Sequence, residues 1–133
     1  MSDIRRAAQR WADTWRRAWE RHDVEAIVAL YAPTAVYSTQ PFREAYRGRR
    51  GAREYVSQAF AAEEHVEAWF GRPIVAGDRA SVAWWACTVE QGRAVTLAGT
   101  STLRFDEDGL VLEEWDTWNQ VEGGIPPDPD WGP

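Results

Sequence analysis

The hydrophobic period of this chain changes near residue 66, and the change divides it into a helical part followed by a sheet. Before that point Ile4, Ala8, Trp11, Trp15 and Trp19 recur every three or four residues, which puts them on one face of a helix. Asp23 then reads as the N-cap of a short second helix running to Ala32, buried by Val24, Ile27, Leu30 and Tyr31 and stopped by Pro33. A third helix over Arg50 to Glu63 buries Ala52, Tyr55, Val56, Ala59 and Phe60, with a short strand, Ala35 to Thr39, between the second and third. Beyond residue 66 four alternating stretches, Val66–Val75, Arg79–Val89, Arg93–Phe105 and Leu110–Asn119, are separated by Gly77-Asp78, Gln91-Gly92 and Asp106 to Gly109. Such short links make neighbours antiparallel, so the expected architecture is α+β, with three N-terminal helices packed on an antiparallel sheet.

The last of these strands carries the chemistry. Alternation sets Leu112, Glu114, Asp116 and Trp118 on one face and Val111, Glu113, Trp115 and Thr117 on the other. A two-residue turn at Gln91-Gly92 and a four-residue turn at Asp106 to Gly109 would set Trp84 opposite Gly99 and Gly99 opposite Asp116, leaving a hollow beside the acid. Glu114 and Asp116 would stand about 6.5–7 Å apart along the strand, close enough for mutual repulsion to separate their proton affinities into one acid and one base. The plainer alternative has Glu114 reaching an arginine or the pocket mouth, with only Asp116 enclosed.

Composition narrows the classes. A net charge of −6 would repel a phosphate backbone, so nucleic acid is not an expected partner. No apolar run approaches the roughly 20 residues needed to cross a bilayer, and no leader is evident, so the expectation is no membrane partner and a cytoplasmic protein. His22 and His65 lack ligand spacing and the single Cys87 has no partner thiol, so neither metal nor cofactor is expected; the absence of lysine excludes a Schiff base. Nine tryptophans point to an aromatic core, an apolar pocket or an interface. Trp15, Trp19, Trp84, Trp118, Tyr55 and Phe60 are candidate pocket residues together with Gly99, and Phe42, Tyr46 and Trp69 are further ones; plain packing is the alternative for each. The outer sheet face, with Ala83, Trp85, Cys87, Thr96, Ala98, Thr100, Thr102, Trp115 and Thr117, is too apolar and flat for ordinary surface and is expected to pair two copies as a homodimer.

Several segments together resemble the nuclear transport factor two superfamily, and within it the SnoaL-like group. They are the helix-one tryptophans leading to Arg21-His22-Asp23, Leu30 to Tyr37, Tyr46 to Gly51, and the hairpin from Phe105 to Asn119. The resemblance spans nearly the whole chain and implies a single domain over residues 1–122, a cone-shaped barrel with a strongly curved sheet and a pocket between sheet and helices. Residues 123–133 read as a Gly- and Pro-rich tail. Asp116 matches the acid or base aspartate of SnoaL-like cyclases and limonene epoxide hydrolases, and Tyr37 matches a pocket tyrosine of the latter. The epoxide hydrolase pattern departs here, since Thr39 stands for an asparagine and Trp84 and Ala86 for an arginine and a second aspartate. The ketosteroid isomerase pattern departs as well, with Ser38, Thr39 and Gln40 where its base lies and Ser101 where its protonated aspartate lies. The implied function is a cofactor-free acid-base enzyme, an isomerase, cyclase, dehydratase or hydrolase, on an apolar ring-containing molecule. In it Asp116 moves the proton and Tyr37 and Glu114 orient or share it. A non-catalytic small-molecule binder or a protein-interaction subunit of the same fold stands as the alternative.

Overall fold

In the computed structural model, which describes residues 2–132, three helices lie on one face of a curved, unclosed seven-stranded sheet. Helix α1 (Ser2–Arg21) buries Trp11, Trp15 and Trp19 with Ala7, Ala8, Ala12 and Ala18, the stripe its spacing dictates. It ends where His22 takes the left-handed conformation (φ 55°) and the Asp23 N–H reaches back 2.8 Å to the Ala18 carbonyl. Asp23 then accepts the Ala26 N–H and caps α2 (Val24–Val28), which stops short of Ala32 because the chain already turns into strand β1 (Tyr31–Ser38). Pro33 therefore sits inside a strand rather than after a helix. It fits there because Ala32 to Ala35 leave the ladder in a bulge, where a missing N–H costs nothing. A two-residue strand, β2 (Tyr46–Arg47), pairs with β1 before α3 (Gly48–Ala62), which Arg53 ties to α2 through a forked contact with Glu25.

The expected strand over Val66–Val75 divides into β3 (His65–Phe70) and β4 (Ile74–Ala76), and the sheet is completed by β5 (Arg79–Glu90), β6 (Arg93–Phe105) and β7 (Val111–Glu122). The order is β2-β1-β7-β6-β5-β3, with β4 also on β5. All pairs are antiparallel except one, β1 with β7, which run parallel. Among the described residues no helix is long and apolar enough to cross a membrane.

Register decides what meets the key acids. Gln91 and Gly92 both have positive φ, the two-residue turn expected, and Trp84 does face Gly99. The next turn is wider, because the Asp106 carboxylate accepts the N–H groups of Asp108 and Leu110 and holds five residues in the loop. Phe105 thus pairs with Val111, and a bulge then pairs Arg104 with Glu113. These two single-residue slips add, so Gly99 faces Trp118 and Asp116 faces Ser101, which corrects the expected Gly99–Asp116 pair. A slip of two preserves the face, and Glu114 and Asp116 still point inward. Val111 lies between the slips and turns into the core rather than outward.

Candidate functional site

Between α1, α3 and the inner sheet face lies a cavity of about 200 Å³, smaller than the roughly 300–1,000 Å³ of drug-sized sites. Trp11, Trp15 and Trp19 of α1 and Tyr55, Ala59 and Phe60 of α3 form its helical wall. Phe70, Trp84, Leu97 and Trp118 form the sheet wall, and the polar groups gather at two ends. Trp15 packs edge-on against both Trp19 and Phe60, and Trp19 against Trp84, so the wall is a braced aromatic lattice.

At the inner end are Asp116, Glu114, Tyr37 and Ser101. Glu114 is 1 % exposed and Asp116 7 % exposed, so Glu114 does not reach the mouth or an arginine, and both acids are enclosed. Burial, with the neighbouring Asp116 charge second, pushes Glu114 well above the usual carboxylate range, so it keeps its proton near neutrality. Burial also raises Asp116, to about 6, against the opposing influence of Glu114, Ser101 and Tyr37. The Ser101 hydroxyl donates to Asp116 Oδ1 at 2.6 Å and itself receives the Trp84 indole N–H at 3.0 Å. The Tyr31 hydroxyl donates to Glu114 Oε1 at 2.6 Å and receives the indole N–H groups of Trp15 (3.2 Å) and Trp11 (3.4 Å). Each acid is therefore oriented by a hydroxyl that is itself oriented by tryptophan. Tyr37 stacks on Tyr31 at 5.4 Å, a meeting of residues six apart that the bulge in β1 permits, and burial raises its phenol well above the usual value. It is a neutral hydroxyl beside the pair.

At the other end stand Glu63, Glu90 and Gln120, with Ala62 beside them. Glu63 Oε1 accepts the Trp19 indole N–H at 2.8 Å, and burial lifts Glu63 to about 7, an effect this bond opposes. Four residues of β7 separate Gln120 from Asp116, so the two ends lie about 13 Å apart along the strand.

The structure brings together Asp116, Glu114, Tyr37, Trp15, Trp19, Trp84, Trp118, Tyr55 and Phe60 around one cavity. Gly99 does not line it. A Cβ there would come within 2.5 Å of Trp118 Cβ and closer still to the Thr117 carbonyl, so glycine serves a close approach of β6 to β7 rather than a hollow. Phe42 is fully exposed, Tyr46 packs on Tyr55 from outside, and Trp69 pairs with Trp85 on the outer face. Ser101, Phe70, Glu63 and the bridging Tyr31 belong to the site although the sequence did not mark them for it. Ser101 shared the inner face in the alternation and was legible as a neighbour, whereas Glu63 was marked only as the end of the third helix.

On the outer face, residues after β7 cross the sheet. The Thr96 hydroxyl donates to the Gly123 carbonyl, the Trp85 indole N–H to the Ile125 carbonyl, and Trp131 packs edge-on against Trp85 at 6.0 Å. Trp115 stays partly open, with the Arg79 guanidinium 5.9 Å from its ring.

A family model described as a SnoaL-like domain matches residues 9–114. Among solved structures the chain is similar to SalBIII, an epoxide hydrolase/cyclase-like enzyme of pyran ring formation in polyether salinomycin, at 20 % identity over 90 % of this chain and 95 % of that one (TM-score 0.77). It is similar to RV0760c from Mycobacterium tuberculosis at 18 % identity over 92 % and 98 % (TM-score 0.76), a protein also solved in complex with estradiol-17beta-hemisuccinate. A computationally designed 17-OHP binder is similar at 19 % identity over 88 % and 98 % (TM-score 0.75). At these identities the likeness is one of fold. No curated protein matches the sequence.

Proposed function

The chain belongs to the SnoaL-like domain family, and from that premise we propose that it is a cofactor-free acid-base enzyme acting on a small, ring-containing molecule by isomerisation, cyclisation, dehydration or hydrolysis. One observation carries the reading: two enclosed carboxyls share one face of β7 at the inner end of an aromatic cavity, in environments that set their proton affinities apart. In this reading Asp116, the weaker holder of its proton, is the base. Glu114 and the Tyr37 hydroxyl are neutral donors that stabilise negative charge developing on substrate oxygen. Tyr31 occupies Glu114 Oε1 as donor and so leaves Oε2 to carry the acid proton. Trp15, Trp19, Trp84, Trp118, Tyr55 and Phe60 hold the ring. The enzyme-type relative in ring formation is consistent with this assignment, and the 17-OHP and estradiol-17beta-hemisuccinate ligands of the other two with a small-molecule pocket.

The binding-module reading draws on a different observation, that both carboxyls already have an internal hydroxyl donor. One substitution separates the two. With a ligand identified by mass spectrometry of small molecules retained through purification, Asp116→Asn keeps the shape and removes the proton acceptor. Turnover of an enzyme falls on the order of 10²-fold or more with affinity little changed. A measured turnover within a few-fold of the parent's contradicts the assignment. We further propose a homodimer interface on the outer sheet face, a C-terminal tail over residues 123–133 whose part up to residue 132 crosses that face, and a cytoplasmic protein, a setting in keeping with its free Cys87 thiol.

A further inference from the structure

We propose that the molecule taken by this cavity carries a protonated amine, held at the mouth by Glu63 against the tryptophan faces, with its apolar ring directed inward to Asp116. The inference rests on the small-molecule pocket reading and adds the ligand's charge class. Among the described residues, the cavity lining includes four carboxyl side chains, Glu63, Glu90, Glu114 and Asp116, and no arginine or histidine. A cationic ligand would find acids and no competing positive charge, and its own charge would favour the ionised form of the carboxyls whose proton affinity burial raises.

Glu63 is the group on which the geometry turns. Glu63 is only 9 % exposed, one of its oxygens accepts the Trp19 indole N–H, and among the described residues no hydrogen bond engages the other. Among the described residues, no ion pair involves Glu63 or Glu90. Glu63 lines the same cavity as Trp15, Trp19, Phe60 and Trp84, and aromatic rings attract a cation as a carboxylate does. Burial lifts Glu63 to about 7, and an ammonium beside it would favour its ionised form. Outside the mouth lies a groove that shares Ala62, Glu90 and Gln120 with the cavity. Its acids are Glu64, Glu90 and Glu122, against a single Arg93 that Glu122 already engages at 3.7 Å. Three acids to one arginine favour the approach of a cation and disfavour that of an anion.

The test uses three probes of similar size: N,N-dimethylbenzylamine, its neutral isostere isobutylbenzene, and the anion phenylacetate. Binding is read by calorimetry and by the fluorescence of the cavity tryptophans. The amine is expected to bind at least about tenfold more tightly than isobutylbenzene, and phenylacetate to show no saturable binding. Glu63→Gln keeps an amide oxygen for the Trp19 N–H, so it should bring the amine down to the affinity of isobutylbenzene. Unchanged isobutylbenzene affinity in that variant shows that its pocket is intact. An amine no tighter than isobutylbenzene, or a preference for the amine that survives Glu63→Gln, overturns the inference and leaves the pocket reading standing. Failure of both the amine and isobutylbenzene to bind brings down the pocket reading and the inference with it.

Discussion

Glu114 and Asp116 lose their hydration together, and the energy of that loss has a sign that can be measured. The unfolded chain holds these groups at ordinary values, near 4.5 for glutamate and 3.8 for aspartate, whereas the folded chain raises Asp116 to about 6 and Glu63 to about 7 and lifts Glu114 well above its ordinary value. A raised carboxyl takes its proton more readily in the native state, so its contribution is intact below the unfolded value and is lost as pH rises through the folded one. For Asp116 the loss is on the order of 3 kcal/mol at most. Urea unfolding of the unliganded protein should therefore show lower stability at pH 8 than at pH 5, and Glu63→Gln should lessen that difference. A parent protein that gains stability from pH 5 to pH 8 contradicts the burial account of these acids. The inward direction of both acids was legible in the sequence because alternation along β7 needs no partner to read. Their orienting groups were less so, since Tyr31 reads as a core residue of a helix that in fact ends at Val28.

At the scale of the strand, β6 and β7 approach so closely at Gly99 that the pairing itself is the reason for the residue. Gly99→Ala must push a methyl group against the Thr117 carbonyl and Trp118, parting two central strands at a cost of about 1–3 kcal/mol. Denaturant unfolding should show that loss, and an alanine variant as stable as the parent would mean that the strands are free to part there. The register explains why the sequence suggested a hollow instead. A turn widened by Asp106 and a bulge after it each shift the pairing by one residue, and neither leaves a hydrophobic signature. Because the shifts sum to two, the face assignment survived while the neighbour assignment did not. The same dependence on a partner strand made Trp69 the expected pocket residue in place of Phe70, since only pairing with Trp85 and Trp84 sends Trp69 out and Phe70 in. Helix α1 was the most legible element, as its tryptophan stripe depends on nothing beyond its own period.

For the whole molecule, the proposed assembly concerns the outer sheet face and the proposed chemistry the inner one. Trp115 remains 38 % exposed beside Thr100, Thr102 and Thr117, while Trp85 is already covered by the chain after β7. A symmetric dimer would therefore use the β6–β7 part of the face, and Thr100→Arg should convert it to a monomer in sedimentation at micromolar concentration. A parent that sediments as a monomer, or a variant that stays dimeric, moves the interface elsewhere. On the inner side, closure of α1 and α3 over the sheet is what removes water from the acid pair, so the proton affinities of Glu114 and Asp116 report on the whole arrangement. The most direct measurement is a carbon-13 NMR titration of the side-chain carboxyls, with Asp116→Asn to assign the signals. The account predicts that Asp116 titrates near 6, that Glu114 titrates well above the ordinary glutamate range, and that Glu114 moves downward in Asp116→Asn as the neighbouring charge is removed. Two carboxyls that titrate independently near 4 would contradict it.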